Sequence, residues 1–338
     1  MVKIAVVGLG FMGKMHLSIY GQFDDVEVTA LCDAHEEALK LGGPASETNI
    51  AVGDSSADVS GARRYTDFSR MLADGGFDFV DLCLPTHLHR EYTVAALQAG
   101  YHVFCEKPMA LTAEEGSDMI RASKKSGKLL TVGQCLRFWP MYVKLKEVID
   151  SKQYGRVISG EFTRYSSTPL WSRDSWILDG SVSGNAALDM HIHDVDMIVH
   201  LFGRPRGVCA QGVKTMAEGF SHITTVYDYP DVAVNSVGNW VCSSGFGLAM
   251  RAFIVLEQAV VELDSTKQPM LTIIPDGGER IVPELDEKDG YYHELRSFAD
   301  NVKTGSSPSV VTPESALESL EVTLAEINSA KKRSPVSL

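Results

Sequence analysis

Three glycines follow the first apolar run of the chain with the spacing G-x-G-x-x-G. They are Gly8, Gly10 and Gly13, and Phe11 and Met12 lie between the last two. The first glycine permits a tight turn, the second lets a phosphate approach the backbone, and the third allows close helix–strand packing. A helical pattern follows, and a helix N-terminus attracts phosphates. We therefore predict that these five residues bind a dinucleotide, the alternative being a turn without a ligand.

A carboxylate ends the second apolar run. Asp33 comes 20 residues after Gly13, where a dinucleotide-binding fold places an acid that accepts hydrogen bonds from the ribose hydroxyls. The same charge would repel the 2′-phosphate of NADP, and neither Ala34 nor His35 supplies a guanidinium to offset it. The residue type predicts NAD, with NADP less favoured. The alternative role for Asp33 is to cap the next helix, and the two roles are compatible.

Glu106, Lys107 and Pro108 follow another apolar run directly. Ligands bind beyond the carboxyl ends of strands in open α/β sheets. An ammonium group there could bind a substrate oxygen and stabilise the negative charge that develops on it during hydride transfer. We predict that Lys107 is catalytic and also contacts cofactor and substrate, and that Glu106 contacts the cofactor. The alternative for Lys107 is a solvated surface lysine.

Asp189 and His193 stand four residues apart in a segment with a helical pattern. Residues at this spacing share one helix face. A carboxylate raises the basicity of a neighbouring imidazole, which suits a general base near neutral pH. We predict that both residues are catalytic and contact the substrate. The alternative is a local salt bridge on a solvated face.

The elements that must position these residues change in character along the chain. Up to about residue 135, apolar runs (3–7, 26–32, 79–84, 102–105 and 129–132) alternate with helical patterns (11–20, 36–41, 68–72, 91–99 and 113–126). This alternation predicts a doubly wound parallel sheet, an α/β domain over 1–135. Residues 42–62 lack a clear period and are interpreted as a surface excursion.

Long alternating runs dominate the remainder and predict an α+β domain over 136–338. Several strands in succession favour a mostly antiparallel open sheet, with helices over one face. The predicted strands cover 157–165, 208–214, 223–229, 232–242, 249–256, 260–263 and 271–274, and the predicted helices cover 141–150, 185–201, 292–303 and 313–331.

Composition excludes several classes of protein. The 338 residues carry 44 acidic and 31 basic side chains, a formal net charge of −13, which disfavours nucleic acid and anionic lipid as partners. The sequence shows neither a membrane-length apolar run nor a signal peptide. Its six cysteines lack the C-x-x-C spacing of metal sites. We expect a cytoplasmic protein with free thiols and no metal site.

Three further stretches, taken with the glycine spacing, resemble the Gfo/Idh/MocA family of oxidoreductases over essentially the whole chain. They read Leu-Pro-Thr-His-Leu-His (84–89), Cys-Glu-Lys-Pro (105–108) and Leu-Asp-Met-His-Ile-His-Asp-Val-Asp (188–196). The resemblance implies an NAD(P)-dependent dehydrogenase or reductase that acts on a secondary alcohol or ketone of a sugar, an inositol or a related polyol. Some members of the family are regulators, and others use the cofactor without net redox change.

The resemblance also suggests roles for four other residues. Pro85 and His89 are expected beside the cofactor, although helix capping is an alternative for the histidine. Arg137 matches an arginine near cofactor and substrate, with an interdomain salt bridge as the alternative. Trp176 resembles aromatic residues near the family's pockets, where a ring could stack on a sugar, and packing is equally compatible.

Self-association is expected as well. The predicted strands of the second sheet carry apolar residues at alternating positions and further apolar residues on the other face, namely Val237, Trp240, Phe253 and Val255. A large exposed apolar patch is unusual in a monomer, and pairing of two copies would bury it. The family resemblance points the same way, and we predict a homodimer or homotetramer.

Overall fold

The computed structural model describes residues 1–41, 57–170, 172–215 and 219–338. The described chain forms two compact units. The first comprises Met1–Gln134, Trp171–Trp176 and Tyr291–Leu317, and the second comprises Cys135–Leu170, Ile177–Gly290 and Glu318–Leu338. The predicted division at residue 135 assigned 291–317 to the second domain, whereas these residues pack with the first. Most of the predicted excursion at 42–62 lies outside the described residues.

The first unit contains a six-stranded sheet with the order β3-β2-β1-β4-β5-β6, and all of its pairings are parallel. The strands are β1 (Val2–Val7), β2 (Val26–Cys32), β3 (Arg63–Tyr65), β4 (Phe79–Leu82), β5 (His102–Cys105) and β6 (Leu130–Val132). The helices before residue 135 are α1 (Phe11–Tyr20), α2 (Phe68–Asp74), α3 (His89–Gln98) and α4 (Ala113–Ser126). This arrangement confirms the predicted doubly wound α/β domain.

Two local predictions in this unit were wrong. The short strand β3 was not predicted, because Arg63 and Arg64 lack the apolar character of the other strands. The helix predicted over 36–41 is a single 3₁₀ turn, Ala38–Lys40, and Leu41 ends it in the left-handed conformation. The central strands behave as expected, since β1 and β4 are almost wholly buried.

The second unit contains an eight-stranded sheet with the order β13-β12-β11-β7-β10-β9-β8-β14. Its strands are β7 (Val157–Ser167), β8 (Gly207–Val213), β9 (His222–Tyr227), β10 (Ala233–Cys242), β11 (Leu248–Leu256), β12 (Ala259–Asp264), β13 (Leu271–Pro275) and β14 (Val336–Ser337). Strands β7 and β10 pair in parallel, and the other neighbours are antiparallel. The predicted mostly antiparallel sheet is confirmed.

The helices after residue 135 are α5 (Pro140–Ser151), α6 (Gly180–Ser183), α7 (Asn185–Asp189), α8 (Ile192–Phe202), α9 (Gly290–Thr304) and α10 (Pro313–Lys332). The single helix predicted over 185–201 is therefore two helices, with a break at Met190 and His191. Short 3₁₀ helices occur at Ala38–Lys40, Thr86–Leu88, Cys135–Phe138 and Arg173–Leu178. Within the described ranges, we find no helix with the length and apolarity needed to cross a membrane.

One face of the second sheet is covered and the other is open. Phe162, Val234 and Ile254 point to the covered face and are buried, and α7 and α8 lie against strands of this sheet. On the open face, Val226 and Phe253 retain 57% and 41% of their surface. Trp240, which the sequence grouped with the open-face residues, is buried.

Candidate functional site

The glycine turn joins β1 to α1. Gly8 has a φ of 87°, and a Cβ there would collide with the carbonyl oxygen of Cys83. A Cβ at Gly13 would collide with the carbonyl oxygen of Gly8. These two glycines are therefore required by close backbone packing. Within the described residues, no atom lies within 4 Å of a Cβ built on Gly10, so the turn is open at that point.

That opening fits a dinucleotide phosphate. Gly10 is the N-cap residue of α1 and makes no side-chain capping bond. A helix N-terminus presents backbone N–H groups and a positive dipole to an anion, and the missing side chain leaves room for it. Phe11 and Met12 follow in the first turn and are half-buried. The residues present thus fit the phosphate-binding half of a dinucleotide site.

Asp33 lies directly after β2, at the same sheet edge as the glycine turn. Its Oδ2 accepts a hydrogen bond from the backbone N–H of Leu9 at 2.8 Å, and its Oδ1 accepts from His35 N at 2.9 Å. The carboxylate keeps lone pairs for further donors. The structure brings Asp33 and the glycine turn together, as the sequence predicted.

Glu106 and Lys107 follow β5 at this edge. The Glu106 carboxylate is buried, and its Oε2 accepts a hydrogen bond from Lys107 N at 3.1 Å. The backbone N–H of Glu106 donates to Leu82 O at 3.0 Å, which continues the sheet. Lys107 is half-buried, and its peptide bond to Pro108 is cis. Lysine and glutamate are therefore held at the strand end by backbone contacts.

The His89 ring lies between the loops that follow β4 and β5. Its ring is fully buried, with Nδ1 2.8 Å from Pro108 O and Nε2 2.7 Å from Leu84 O. Both ring nitrogens are thus engaged by carbonyl oxygens, and the side chain does not cap α3. His89 thus joins two loops, and its predicted cofactor contact stays a prediction. Pro85, which precedes the Thr86–Leu88 turn, is half-buried.

A buried polar cluster, not anticipated from the sequence, lies beneath Glu106. His16 on α1 contacts Asp81 on β4 through Nδ1 (2.8 Å) and Glu106 through Nε2 (3.2 Å to Oε1). Tyr20 donates a hydrogen bond to Asp81 at 2.9 Å. The carboxylate of Glu294 on α9 also lies close, with one oxygen within 4.8 Å of a ring nitrogen of His16 and of a carboxylate oxygen of Glu106. The sequence signal for this cluster was Asp81, an acidic residue within the apolar run 79–84.

In the second unit, Asp189 ends α7 and His193 lies in the first turn of α8. The N–H of His193 donates to Met190 O and that of His191 donates to Ala186 O, so the hydrogen bonds do not follow one regular helix. The predicted i, i+4 relation on one helix is therefore wrong. Asp189 is buried and His193 is half-buried.

Arg137 forms a buried ion pair within the second unit. Its Nε donates to Asp196 Oδ2 at 2.8 Å and its Nη2 to Oδ1 at 2.7 Å, and Ser319 also donates to this carboxylate. Only 3% of the arginine side chain is exposed. The salt bridge lies inside one unit rather than between domains, and the predicted substrate contact of Arg137 stays a prediction.

Two side chains remain to be placed: His191, which stands between Asp189 and His193 in the sequence, and the candidate Trp176. His191 is fully buried, with Nε2 3.1 Å from Glu326 Oε2 and 3.2 Å from Ser236 Oγ, so it packs in the second unit. Trp176 belongs to the Arg173–Leu178 turn and is half-buried. Its predicted substrate contact stays a prediction.

Family models match most of the chain. Residues 2–134 match the model of an oxidoreductase family with an NAD-binding Rossmann fold. Residues 142–260 match the GFO/IDH/MocA C-terminal domain. The two matches follow each other in the order expected for one two-domain protein.

Individual proteins are similar over nearly the full length. A scyllo-inositol 2-dehydrogenase (NAD(+)) of Bacillus subtilis is 28% identical over 349 aligned positions, covering 100% of this chain and 96% of the relative. A scyllo-inositol 2-dehydrogenase (NADP(+)) of the same organism is 24% identical, covering 90% and 89%. The solved levoglucosan dehydrogenase in complex with NADH and levoglucosan has the same fold, with a TM-score of 0.84 at 21% identity and 99% coverage of both chains.

Proposed function

Because the chain belongs to the GFO/IDH/MocA oxidoreductase family, we propose that it transfers a hydride between NAD and a secondary alcohol or ketone of an inositol, a sugar or a related polyol. The observation that carries this proposal is the arrangement of Lys107 at the same sheet edge as the glycine turn and Asp33. The inositol dehydrogenases to which the chain is similar support a cyclic polyol as the substrate class.

The choice of NAD rests on Asp33. Two backbone N–H groups hold its carboxylate beside the glycine turn. A carboxylate there accepts hydrogen bonds from ribose hydroxyls and repels a 2′-phosphate. The neighbouring His35 supplies no guanidinium to reverse this preference. NADP is the less favoured cofactor in this proposal.

The nicotinamide ring, when bound, accepts or donates the hydride, and the side chains of this protein handle the oxygen and the proton. The Lys107 ammonium donates a hydrogen bond to the reacting oxygen and stabilises its negative charge. Glu106 holds the Lys107 backbone and contacts the cofactor, and Pro85 borders the cofactor. Gly8, Gly10, Phe11, Met12 and Gly13 form the phosphate-binding turn.

The proton of the hydroxyl is assigned to His193. An imidazole is a suitable base near neutral pH, and this one is half-buried at the start of α8. Asp189 binds a neighbouring substrate hydroxyl or orients the imidazole, and Trp176 stacks on the substrate. Asp189 and His193 lie at the end of α7 and the start of α8, on either side of the break.

We also propose that the protein is a cytoplasmic homodimer or homotetramer. None of the six cysteines forms a disulfide bond, which is the state that a reducing compartment maintains. The open face of the second sheet exposes Val226 and Phe253, and pairing two such faces would bury them. The assembly would thus be built through the second sheet.

A spectrophotometric assay tests the proposed activity. The purified protein is incubated with NAD and a panel of inositols, sugars and other polyols, and NADH is followed by its absorbance. Accumulation of NADH with one substrate class supports the dehydrogenase. Tight NAD binding without turnover of any panel member would instead indicate a regulator, and substrate cleavage without net NADH would indicate a redox-assisted lyase.

A further inference from the structure

The cluster around His16 places three buried carboxyl groups around one imidazole. Within the described part of the first unit, the imidazole is faced by Asp81 on β4 and Cys83 just after it, by Tyr20 on α1, by Glu106 after β5 and by Glu294 on α9. Three of these groups are carboxyls, and all three are at least nine-tenths buried. Buried carboxylates require a compensating positive charge or a proton, and the imidazole is the basic group at their centre.

The contacts show where protons must lie. Asp81 Oδ2 accepts from the Tyr20 hydroxyl at 2.9 Å and lies 2.8 Å from His16 Nδ1. A carboxylate offers only acceptors, so with Asp81 ionised its Oδ2 accepts from both groups and Nδ1 carries a hydrogen. At the opposite side of the ring, Nε2 lies 3.2 Å from Glu106 Oε1. Two lone pairs would repel at this distance, so Nε2 is protonated as well if Glu106 is ionised.

The electrostatics agree with a charged ring. Burial alone would lower the pKa of His16, but the charge of Asp81 and the hydrogen bond to it raise that pKa well above its ordinary value. Burial also raises the pKa of the Cys83 thiol, which therefore stays protonated near neutral pH. The ring is edge-on to Phe104, with ring centroids 5.7 Å apart, which limits its rotation.

Glu106 connects this ring to the sheet edge. One of its oxygens faces His16 Nε2 and the other accepts from Lys107 N at 3.1 Å. A Cβ at Gly133 would lie 3.0 Å from Glu106 Oε1, so the carboxylate is confined on that side too. Movement of the imidazole would therefore move the carboxylate that holds the Lys107 backbone.

We propose that His16 is a positioning residue: held as an imidazolium between Asp81 and Glu106, it fixes the Glu106 carboxylate and, through that carboxylate, the backbone of Lys107. The role in turnover rests on the proposed function, because it assumes that Lys107 acts on the substrate. The positioning of the Glu106 carboxylate and the Lys107 backbone by His16 does not rest on the proposed function, and it can be tested without any substrate.

Two isosteric substitutions separate the two contacts of the ring. In His16→Gln the side-chain amide nitrogen takes the place of Nε2 and keeps a donor toward Glu106. In His16→Asn the amide nitrogen takes the place of Nδ1, so only the contact with Asp81 is kept. Hydrogen exchange of the Lys107 amide, measured by NMR, should accelerate at least tenfold in His16→Asn and stay within about threefold of wild type in His16→Gln. Equal exchange in wild type and His16→Asn would overturn the proposal.

Turnover provides the second readout. With the best substrate of the panel, kcat should fall about 10- to 100-fold in His16→Asn, in line with the cost of misplacing a reacting group, while calorimetry shows nearly unchanged NAD affinity. His16→Gln should recover most of this loss. Tyr20→Phe is the matched control, since it removes another buried bond to Asp81 without touching Glu106, and its kcat should match wild type. Equal losses in the Gln and Asn variants would indicate a merely structural histidine.

The wild-type protein gives a test that does not require folded variants. The ¹⁵N shifts of the His16 ring, assigned through its contact with Phe104, should be those of an imidazolium at pH 7.5. A neutral ring, or a stoichiometric metal ion in the purified protein, would overturn the proposal. If Lys107→Ala has full activity while these shifts and the exchange pattern hold, the proposed function fails and the positioning geometry stands.

Discussion

The carboxylate of Asp33 accepts a hydrogen bond from the backbone N–H of Leu9 at 2.8 Å. This bond ties the end of β2 to the glycine turn after β1. A second bond, from His35 N, holds the other carboxylate oxygen at 2.9 Å. The negative charge is thus fixed at the turn that fits a dinucleotide phosphate, and cofactor preference should depend on it.

Substitution of Asp33 should weaken the discrimination between cofactors. We expect wild-type protein to bind NAD more tightly than NADP, and Asp33→Ser to narrow the ratio of the two dissociation constants because it removes repulsion of the 2′-phosphate. Calorimetry with NAD and with NADP measures the two dissociation constants for each protein. Asp24→Ser, which removes an exposed charge of the same unit, should leave the ratio unchanged. Equal wild-type affinities would contradict the assignment.

Loss of Lys107 or His193 should separate turnover from cofactor binding. Lys107→Ala and His193→Ala should each lower kcat by roughly 10²- to 10⁴-fold, the range of general acid–base contributions. Both variants should still bind NAD by calorimetry, the lysine variant more weakly. Lys125→Ala, at an exposed position of α4, should keep wild-type kcat. Normal turnover of His193→Ala would mean that the base lies elsewhere.

Arg137 should matter for stability more than for substrate affinity. Arg137→Leu leaves the buried Asp196 carboxylate without its main counterion, and breaking such a pair costs about 3–5 kcal/mol of unfolding free energy. The exposed pair of Arg156 and Glu257 is the control, and Arg156→Leu should lower the unfolding free energy far less than Arg137→Leu does. Urea denaturation of the two variants and the wild type measures both changes in unfolding free energy. A raised KM of Arg137→Leu with unchanged stability would instead support the predicted contact between Arg137 and the substrate.

His200 should make the protein sensitive to mild acid. Burial, assisted by the charge of Arg137, lowers its pKa to about 4. Above pH 6.5 the ring is neutral in both folded and unfolded chains and has no effect. As the pH falls from 6.5 toward 4, the unfolded chain binds a proton that the folded chain does not, so stability is lost.

His200→Gln should therefore reduce the fall in Tm between pH 7.5 and pH 5. The exposed His35→Gln is the matched control, and it should show the wild-type fall. Thermal unfolding followed by circular dichroism at the two pH values measures the difference. An identical fall in wild type and His200→Gln would show that other groups govern the acid response.

Much of the first domain could be predicted because its signals are local. The strand bounds 26–32 and 102–105 and the helix bounds 11–20 and 113–126 match the structure, since apolar runs, glycines and the capping residue Thr112 mark these elements. The placement of Asp33 beside the glycine turn followed from strand order alone. Such features depend on residues that are neighbours in sequence or lie at a shared sheet edge.

Other features depend on contacts between distant residues. His16 and Asp81 are 65 positions apart, and nothing in the helical pattern of α1 indicates that the imidazole faces a buried acid. The pairing of Arg137 with Asp196 is equally long-range. The break at Met190 and His191 lacks a glycine or proline, and it accompanies the burial of His191 against Glu326. Tertiary packing, rather than the local preference of the sequence, determines these two contacts and the helix break.

The open sheet face should determine the assembly. Phe253 lies beside Glu161 on the neighbouring strand, and Val226 lies farther across the same face beside Asn235. Lysine at both positions would place charge on a surface that we expect to be buried between copies. Wild-type protein should therefore show a mass of at least twice 36.9 kDa by light scattering, and Val226→Lys combined with Phe253→Lys should shift it toward the monomer. Val143→Lys, at an exposed position of α5, should leave the mass unchanged. A wild-type mass near 36.9 kDa at micromolar concentration would contradict self-association.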